Sequence, residues 1–238
     1  MLRRLLSYYW NLRYYFLKWI WDSSLKYSTI NGYALMFHHV TDENVNINDS
    51  CKCAPEEFRN VLLQTQDEGR IFVSVDTMLD IIHLKRSVKF AIVTFDDVPD
   101  SFYTNAYPVL KKNNIPFILF ITTGFIDKKG YLSMEQIIEL DKDPLCTIGA
   151  HTLTHPMLRK VNNSREELIK SKIYLEGILG HQVNYLAYPF GRQSSVSRRV
   201  MKDAKQSGYL CAFGTIQSYI TDASSRNVFY IPRIVKKN

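Results

Sequence analysis

Phe90-Ala91-Ile92-Val93-Thr94-Phe95 is an unbroken apolar run, and it ends on two adjacent carboxylates, Asp96-Asp97. Downstream stands His151-Thr152-Leu153-Thr154-His155-Pro156. Two histidines four residues apart can both face one metal ion. With one carboxylate they make an open site of the kind that activates water. The second carboxylate is then left over to act as a base. Together these residues point to a metal-dependent hydrolase.

Short apolar runs alternate with helical patterns from about residue 33 onward. The strand-like runs are Tyr33–Phe37, Ile71–Val75, Phe90–Phe95, Phe117–Ile121, Cys146–Ala150, Tyr185–Tyr188, Tyr209–Phe213 and Val228–Val235. Between them, Pro55 stands at a first-turn position of a helix that Gly69 stops. Ser133-x-x-Gln136 and Ser164-x-x-Glu167 read as capping boxes opening two more. Such alternation implies βαβ units and a mainly parallel sheet, open or closed into a barrel. In a barrel, chemistry collects at the C-terminal strand ends, and Asp96, Asp97 and His151 all fall at such ends.

The chain has 238 residues, enough for one large α/β domain. Its 46% hydrophobic and 22% charged residues are those of a folded globular protein. The net charge of +7 is either a basic surface that aids solubility or an attraction to acidic lipid or an anionic glycan carrier. Lys and Arg are dispersed rather than clustered on a recognition motif, which argues against nucleic acid. The cysteines, at 51, 53, 146 and 211, include no C-x-x-C pair. Cys146 reads as a small core residue. The polar stretch Thr41–Ala54 is a lid or a solvated connection.

All three tryptophans, Trp10, Trp19 and Trp21, lie near the N-terminus. Wound as a helix, this segment sorts Arg4, Ser7, Asn11, Lys18 and Asp22 onto one stripe. Leu2, Leu5, Tyr9, Leu12, Phe16 and Ile20 fall opposite. No uninterrupted apolar stretch or small-residue cleavage site marks a secretory signal, and Arg13 and Lys18 interrupt any spanning segment. An amphipathic, aromatic, basic helix either lies in a membrane interface or packs on the domain or a second subunit. The expected organisation is this helix over residues 1–28 and a catalytic domain over 29–238. The expected location is the cytoplasm, with the inner face of the membrane as a contact surface.

The order Thr94-Phe95-Asp96-Asp97, then His151-Thr152-Leu153-Thr154-His155-Pro156, then Tyr188-Pro189-Phe190-Gly191 resembles the polysaccharide deacetylase family (carbohydrate esterase family 4, the NodB-homology domain). The resemblance covers about residues 33 to 235. It implies a distorted, incomplete β/α barrel and metal-dependent removal of N-acetyl groups from a glycan. It also implies Asp96 as catalytic base, with Asp97, His151 and His155 as ligands of a divalent metal, Zn²⁺ first and Co²⁺, Ni²⁺ or Mn²⁺ as alternatives. The backbone N–H of Phe190 is implied as the oxyanion donor, with Tyr188 and Pro189 beside it at the substrate. This chemistry suits an amide, a poor electrophile whose carbonyl needs polarising and whose leaving amine needs a proton.

The chain departs from the family's commonest form at several points. No histidine follows His181, so the C-terminal Leu-x-His that carries the acid is absent, as is the Trp-containing fourth motif. Instead Ala34-Leu35-Met36-Phe37-His38-His39-Val40 resembles the Met-Tyr-His segment of the poly-N-acetylglucosamine de-N-acetylase branch. There an early-strand histidine is the acid, which implies His38, with His39 as its rival on the opposite strand face. Ala187 replaces the third motif's arginine. Arg233 either orients Asp96 in its stead or is a surface charge. Val98-Pro99 replaces the usual Gly-Tyr, and Pro99 is expected to push Val98 toward extended geometry. His83 and His181 read as surface residues, and Tyr103 and Tyr107 as packing.

The leading function is therefore de-N-acetylation of a sugar in a glycan or a lipid-linked precursor of a surface polysaccharide. A catalytically impaired glycan-binding or scaffold protein on the same fold is a second reading. A deacylase of a non-sugar amide is a third, and a tight pocket without sugar-stacking aromatics would favour it.

Overall fold

The computed structural model describes residues 2–42 and 52–236. Cys51 and most of the Thr41–Ala54 stretch lie outside the described residues. Among the described residues the strands are β1 (Asn31–Phe37), β2 (His39–Val40), β3 (Lys52–Cys53), β4 (Ile71–Phe72), β5 (Lys89–Asp96), β6 (Phe117–Ile121), β7 (Cys146–Ala150), β8 (Tyr185–Ala187) and β9 (Cys211–Phe213). The α-helices are α1 (Leu2–Ser24), α2 (Pro55–Asp67), α3 (Val75–His83), α4 (Tyr107–Lys112), α5 (Met134–Asp141), α6 (Ser164–Leu179) and α7 (Arg198–Gln206).

Seven strands form one parallel sheet in the order β1-β5-β6-β7-β8-β9, with β4 on β5; β2 and β3 pair separately. This is an α/β incomplete barrel with an N-terminal helix, the expected class. β5 is central because it is buried on both faces. Ala91, Val93 and Phe95 join the core beneath the helices, while Phe90 and Ile92 join the second core inside the barrel. Strand alternation then puts Thr94 and Asp96 on the inner side with Phe90 and Ile92.

Several expected elements differ. Ile71–Val75 is only a two-residue strand, because the Ser74 side chain accepts the Thr77 N–H and opens α3 at Val75. Tyr209–Phe213 shortens to β9. Val228–Val235 is not a strand: Val228–Tyr230 is a 3₁₀ turn, and the residues after it make single bridges, Ile231 to Phe213 and Ile234 to Leu35. That segment nevertheless stitches the last strand to the first. Ile231 N–H donates to Ala212 and Ile234 N–H to Ala34, at 2.9 and 2.8 Å. Arg233 lies between the two stitches. The capping box at Ser133 and Gln136 forms. The one at Ser164 does not: Asn163 is the N-cap, and the Ser164 hydroxyl donates to Asp203 instead.

The N-terminal helix packs on the domain, and of the wheel's apolar stripe Ile20 joins that contact, with Tyr14, Leu17 and Trp21 from outside the stripe. Trp21 is in the core, with Tyr14, Leu17 and Ile20 against it. Leu5, Tyr9, Leu12 and Phe16, of the apolar stripe on the helical wheel, face away and are exposed. No helix among the described residues is long and apolar enough to cross a membrane.

Candidate active site

The C-terminal strand ends converge on one point. His38 follows β1, Asp96 and Asp97 close β5, Thr122 follows β6, His151 follows β7 and Tyr188 follows β8. The register explains it: Phe37 pairs with Phe95, Asp96 with Phe120 and Ile121 with Ala150.

Several residues at the site have a left-handed backbone. Asp97, Val98, Thr152, His155 and Phe190 have φ of 59°, 48°, 71°, 58° and 60°. Such conformations cost roughly 1–3 kcal/mol each at non-glycine residues and gather where the surrounding structure fixes a site. The Val98 N–H donates to Asp96 C=O at 2.6 Å, which makes a γ-turn about Asp97. Val98 is consequently left-handed rather than extended, so that turn overrides the steric preference of Pro99. The two histidines lie on a loop between β7 and α6, not on a helix.

Asp97, His151 and His155 each offer one ligand atom, and these atoms lie within 4.8 Å of one another. Asp97 Oδ1 is 4.0 Å from His151 Nε2 and 3.7 Å from His155 Nε2. Tetrahedral ligands at zinc distances stand about 3.4 Å apart, so the donor set fits a small divalent cation. The supporting contacts fit too. His151 Nδ1 lies 2.8 Å from the Ala187 carbonyl, which fixes the tautomer with Nε2 facing the site. Burial pushes the His151 imidazole below its usual range, toward the neutral form that ligates metals. Thr122 Oγ1 donates to Asp97 Oδ1 at 2.9 Å.

Asp96 is buried beside this triad, its Oδ2 4.0 Å from His151 Nε2. Arg233, fully buried, clamps it with two guanidinium nitrogens at 2.6 Å each. The same guanidinium donates to Thr94 Oγ1 and the Gly214 carbonyl. Burial works to raise the Asp96 pKa, but Arg233 and then His151 outweigh it and hold the carboxyl well below the usual carboxylate range. His38 Nε2 is 3.9 Å from Asp96 Oδ2. His39 turns into the small β2–β3 sheet instead.

Phe190 is 48% exposed, its ring 4.9 Å from that of His155. Its N–H, held on a left-handed turn, makes no hydrogen bond among the described residues. Tyr188 and Pro189, expected beside the substrate, lie below the surface of the site. Both are buried; Tyr188 is fully covered and donates its hydroxyl to the Phe229 carbonyl, so it anchors the turn from below.

Three contributors, Glu167, Phe125 and Tyr131, were not singled out from the sequence as parts of the site. Glu167, read as a helix cap, instead accepts from Leu153 N–H, Thr154 N–H and the Thr154 hydroxyl at 3.1, 2.9 and 2.8 Å. It thereby pins the histidine loop from the first turn of α6. Phe125 and Tyr131 pack with ring centres 4.8 Å apart, and Phe125 lies 6.1 Å from the His155 ring. With Phe190 they give the site an aromatic rim. His83 and His181 are exposed, away from the site. Tyr103 and Tyr107 pack on one another and bond to α5 and the turn after it, through Glu139 and Asp143.

A parallel half-barrel carries at its strand ends a carboxylate pair beside two histidines, of which Asp97, His151 and His155 are placed so that they could hold one metal ion. The polysaccharide deacetylase family profile matches residues 83–211, more than half of the chain, and the chain belongs to that family of carbohydrate de-N-acetylases. The poly-beta-1,6-N-acetyl-D-glucosamine N-deacetylase of Staphylococcus aureus strain MRSA252 is 29% identical over 238 aligned residues, 89% of this chain and 80% of that protein. The crystal structure of a polysaccharide deacetylase from Bacillus cereus superposes with TM-score 0.75 at 27% identity. That match takes in 86% of this chain but 64% of the other, so the chain spans less than two thirds of that protein. IcaB from Ammonifex degensii shares the fold, with TM-score 0.74 at 24% identity over 87% of this chain and 92% of that one.

Proposed function

We propose that this protein hydrolyses the N-acetyl group of an N-acetylated amino sugar within a glycan of the poly-N-acetylglucosamine kind, yielding acetate and a free amine. The observation that carries the reading is the Asp96–Arg233 clamp beside the Asp97, His151 and His155 cluster. It provides an ionised base next to a metal-binding triad.

Asp97, His151 and His155 would hold the divalent ion, Zn²⁺ by the His₂-carboxylate donor set. When bound, such an ion polarises the acetyl carbonyl and lowers the pKa of water. Asp96 takes a proton from the attacking water as the new C–O bond forms. Arg233 is a positioning residue that keeps Asp96 charged and oriented. The free N–H of Phe190 faces the developing negative oxygen. His38 gives a proton to the sugar nitrogen as the C–N bond breaks. The 3.9 Å between His38 Nε2 and Asp96 Oδ2 puts the two proton-handling groups side by side.

The aromatic rim of Phe125, Tyr131 and Phe190 favours a sugar over a small non-sugar amide, because sugar rings stack on such faces. The intact Asp96-Asp97 pair and its buried arginine favour an enzyme over a scaffold. The relative from Staphylococcus aureus supports a β-1,6-linked N-acetylglucosamine polymer, and with it a role in making surface polysaccharide. Acetate release from β-1,6- and β-1,4-linked N-acetylglucosamine oligomers, with and without added Zn²⁺, tests this. The expected result is Zn²⁺-stimulated release that is faster on the β-1,6 series. Release only from non-sugar acetamides would replace the reading.

A further inference from the structure

We propose that α1 seats this protein on an anionic lipid surface. The face bearing Leu5, Tyr9, Leu12, Phe16 and Trp19 would enter the membrane interface, with Arg13, Arg159 and Arg198 beside it taking lipid phosphates. The inference is independent of the chemistry read from the active site.

The helix has two apolar faces, and the domain uses only one. Tyr14, Leu17 and Trp21 pack inward. Polar contacts lock that seating: Ser218 donates to Asp22 at 2.7 Å, the Ser24 and Thr221 hydroxyls lie 2.8 Å apart, and Gln217 N–H donates to the Tyr14 hydroxyl at 3.3 Å. The helix cannot roll over without breaking all of these. Opposite them, Leu5, Tyr9, Leu12, Phe16 and Trp19 recur at spacings of four, three, four and three, one face of a helix. They are 56%, 48%, 53%, 60% and 65% exposed, and Tyr8 and Tyr15 flank them at 65% and 66%. A helix that is apolar on both sides is normally covered on both.

The chemistry of this face selects the occupant. Tyrosine and tryptophan have an apolar body and a polar tip, the combination that settles at the headgroup level of a bilayer. The outward stripe contains no acid. Between α1 and the domain lies a cavity of about 450 Å³ lined by Arg13, Arg159 and Arg198 and by no acidic residue. None of these arginines makes an ion pair among the described residues. Arg159 is held over the Trp10 ring at 4.3 Å. Gln193 lines the same cavity with 7% exposure, and its Oε1 has no hydrogen-bond partner. Arg13 donates to the Tyr9 hydroxyl and Arg159 to the Gln193 carbonyl, at 3.2 and 3.3 Å; guanidinium groups without a carboxylate partner, beside a buried amide, suit the phosphate and hydroxyls of a headgroup. A hydrophobic interface flanked by cationic groups is how an amphipathic helix lies on an anionic membrane.

Behind α1 the packing runs on toward the active site. Trp21 lies 6.4 Å from the Tyr230 ring, and the Tyr230 hydroxyl donates to the Gly191 carbonyl at 2.7 Å. Gly191 adjoins Phe190 at the rim.

The chain's three tryptophans all belong to α1, so the native protein carries its own probe. The full chain is mixed with phosphatidylcholine vesicles, with or without phosphatidylglycerol. Expected are co-sedimentation with the phosphatidylglycerol vesicles, weakened by salt, a blue shift of tryptophan emission, and quenching by acyl-brominated lipid. Leu12→Ser, Phe16→Ser and Trp19→Ser combined should lower partitioning by about tenfold or more at unchanged melting temperature. Arg13→Gln, Arg159→Gln and Arg198→Gln combined should abolish the preference for phosphatidylglycerol. Native protein that neither sediments nor shifts its emission would overturn the proposal. So would a serine variant that binds like the native chain, or a glutamine variant that keeps the lipid preference. A stable dimer that the serine variant dissociates, without vesicle binding, would give the face to a second copy instead.

Discussion

Arg233 comes from the last residues of the chain and grips Asp96 of the central strand with two nitrogens at 2.6 Å, both groups buried. The pair ties the segment that bridges the last strand to the first to the base proposed for the reaction. A buried ion pair is weak evidence for stability as such, because desolvation offsets most of the attraction. Breaking it by removing one partner strands a buried charge. Arg233→Met is therefore expected to lower unfolding free energy by about 3–5 kcal/mol, measured by urea denaturation. Arg233→Lys keeps the charge and loses the bidentate grip, and should fall between Met and the native residue. A Met variant as stable as the native protein would mean that Asp96 does not depend on Arg233.

Glu167 is expected to matter for metal rather than for folding. It holds Leu153 and Thr154, two residues inside the loop whose ends are His151 and His155. Glu167→Ala should weaken Zn²⁺ affinity by about 10- to 100-fold, the usual loss when the support of a metal ligand is removed. Competitive titration with a chromogenic chelator reads this directly. Affinity within twofold of the native value would show that the loop keeps its shape unaided.

Phe190 presents a ring at the rim as well as a backbone donor. Phe190→Ala keeps the N–H and removes the ring. KM on a glycan oligomer should rise about tenfold with kcat little changed, the pattern for a contact made equally in ground and transition states. A fall in kcat with constant KM would instead give the ring a role in shaping the donor turn.

His181 supplies a pH dependence of stability remote from the site. Its Nε2 lies 2.8 Å from Asp141, and the hydrogen bond to that carboxylate, then the one to the Gln182 carbonyl, raises its pKa above the ordinary 6.5. A folded-state pKa above the unfolded value means that the folded state holds the proton more tightly. The stabilisation is complete below the unfolded pKa and fades as pH rises through the folded one. The melting-temperature gap between the native chain and His181→Gln should thus be largest below the ordinary 6.5 of an imidazole and shrink as the pH rises above it. A gap that widened with pH would reverse the assignment.

Much of this fold was legible because its signals are local. The run Phe90–Phe95 is buried on both sides and could only be a central strand, and Asp96-Asp97 marks its end. The Ser133–Gln136 box caps its helix because both hydrogen bonds lie within one turn. What escaped the sequence depends on distance along the chain. Glu167 looks like a capping residue until the histidine loop folds down onto it. Tyr188 spends its hydroxyl on the Phe229 carbonyl, a partner 41 residues away. The Val228–Val235 run has strand composition, yet it bridges two strand ends at single points because it spans the mouth of an unclosed barrel. In α1 the wheel identified an apolar stripe and a polar one. Which apolar surface the domain would take was settled by the partners of Tyr14, Leu17 and Trp21, which a helical wheel does not contain.

The central claim, that Asp96 is the base beside a metal held by Asp97, His151 and His155, is tested most directly with Asp96→Asn. The measurement is acetate release from a β-1,6-linked N-acetylglucosamine oligomer, alongside the zinc content of the same samples. The account predicts that the variant keeps about one zinc per chain, as a three-ligand site should, while release falls by about 10²- to 10⁴-fold, the share that a positioned base contributes. Release at the native rate from a zinc-loaded variant would contradict it.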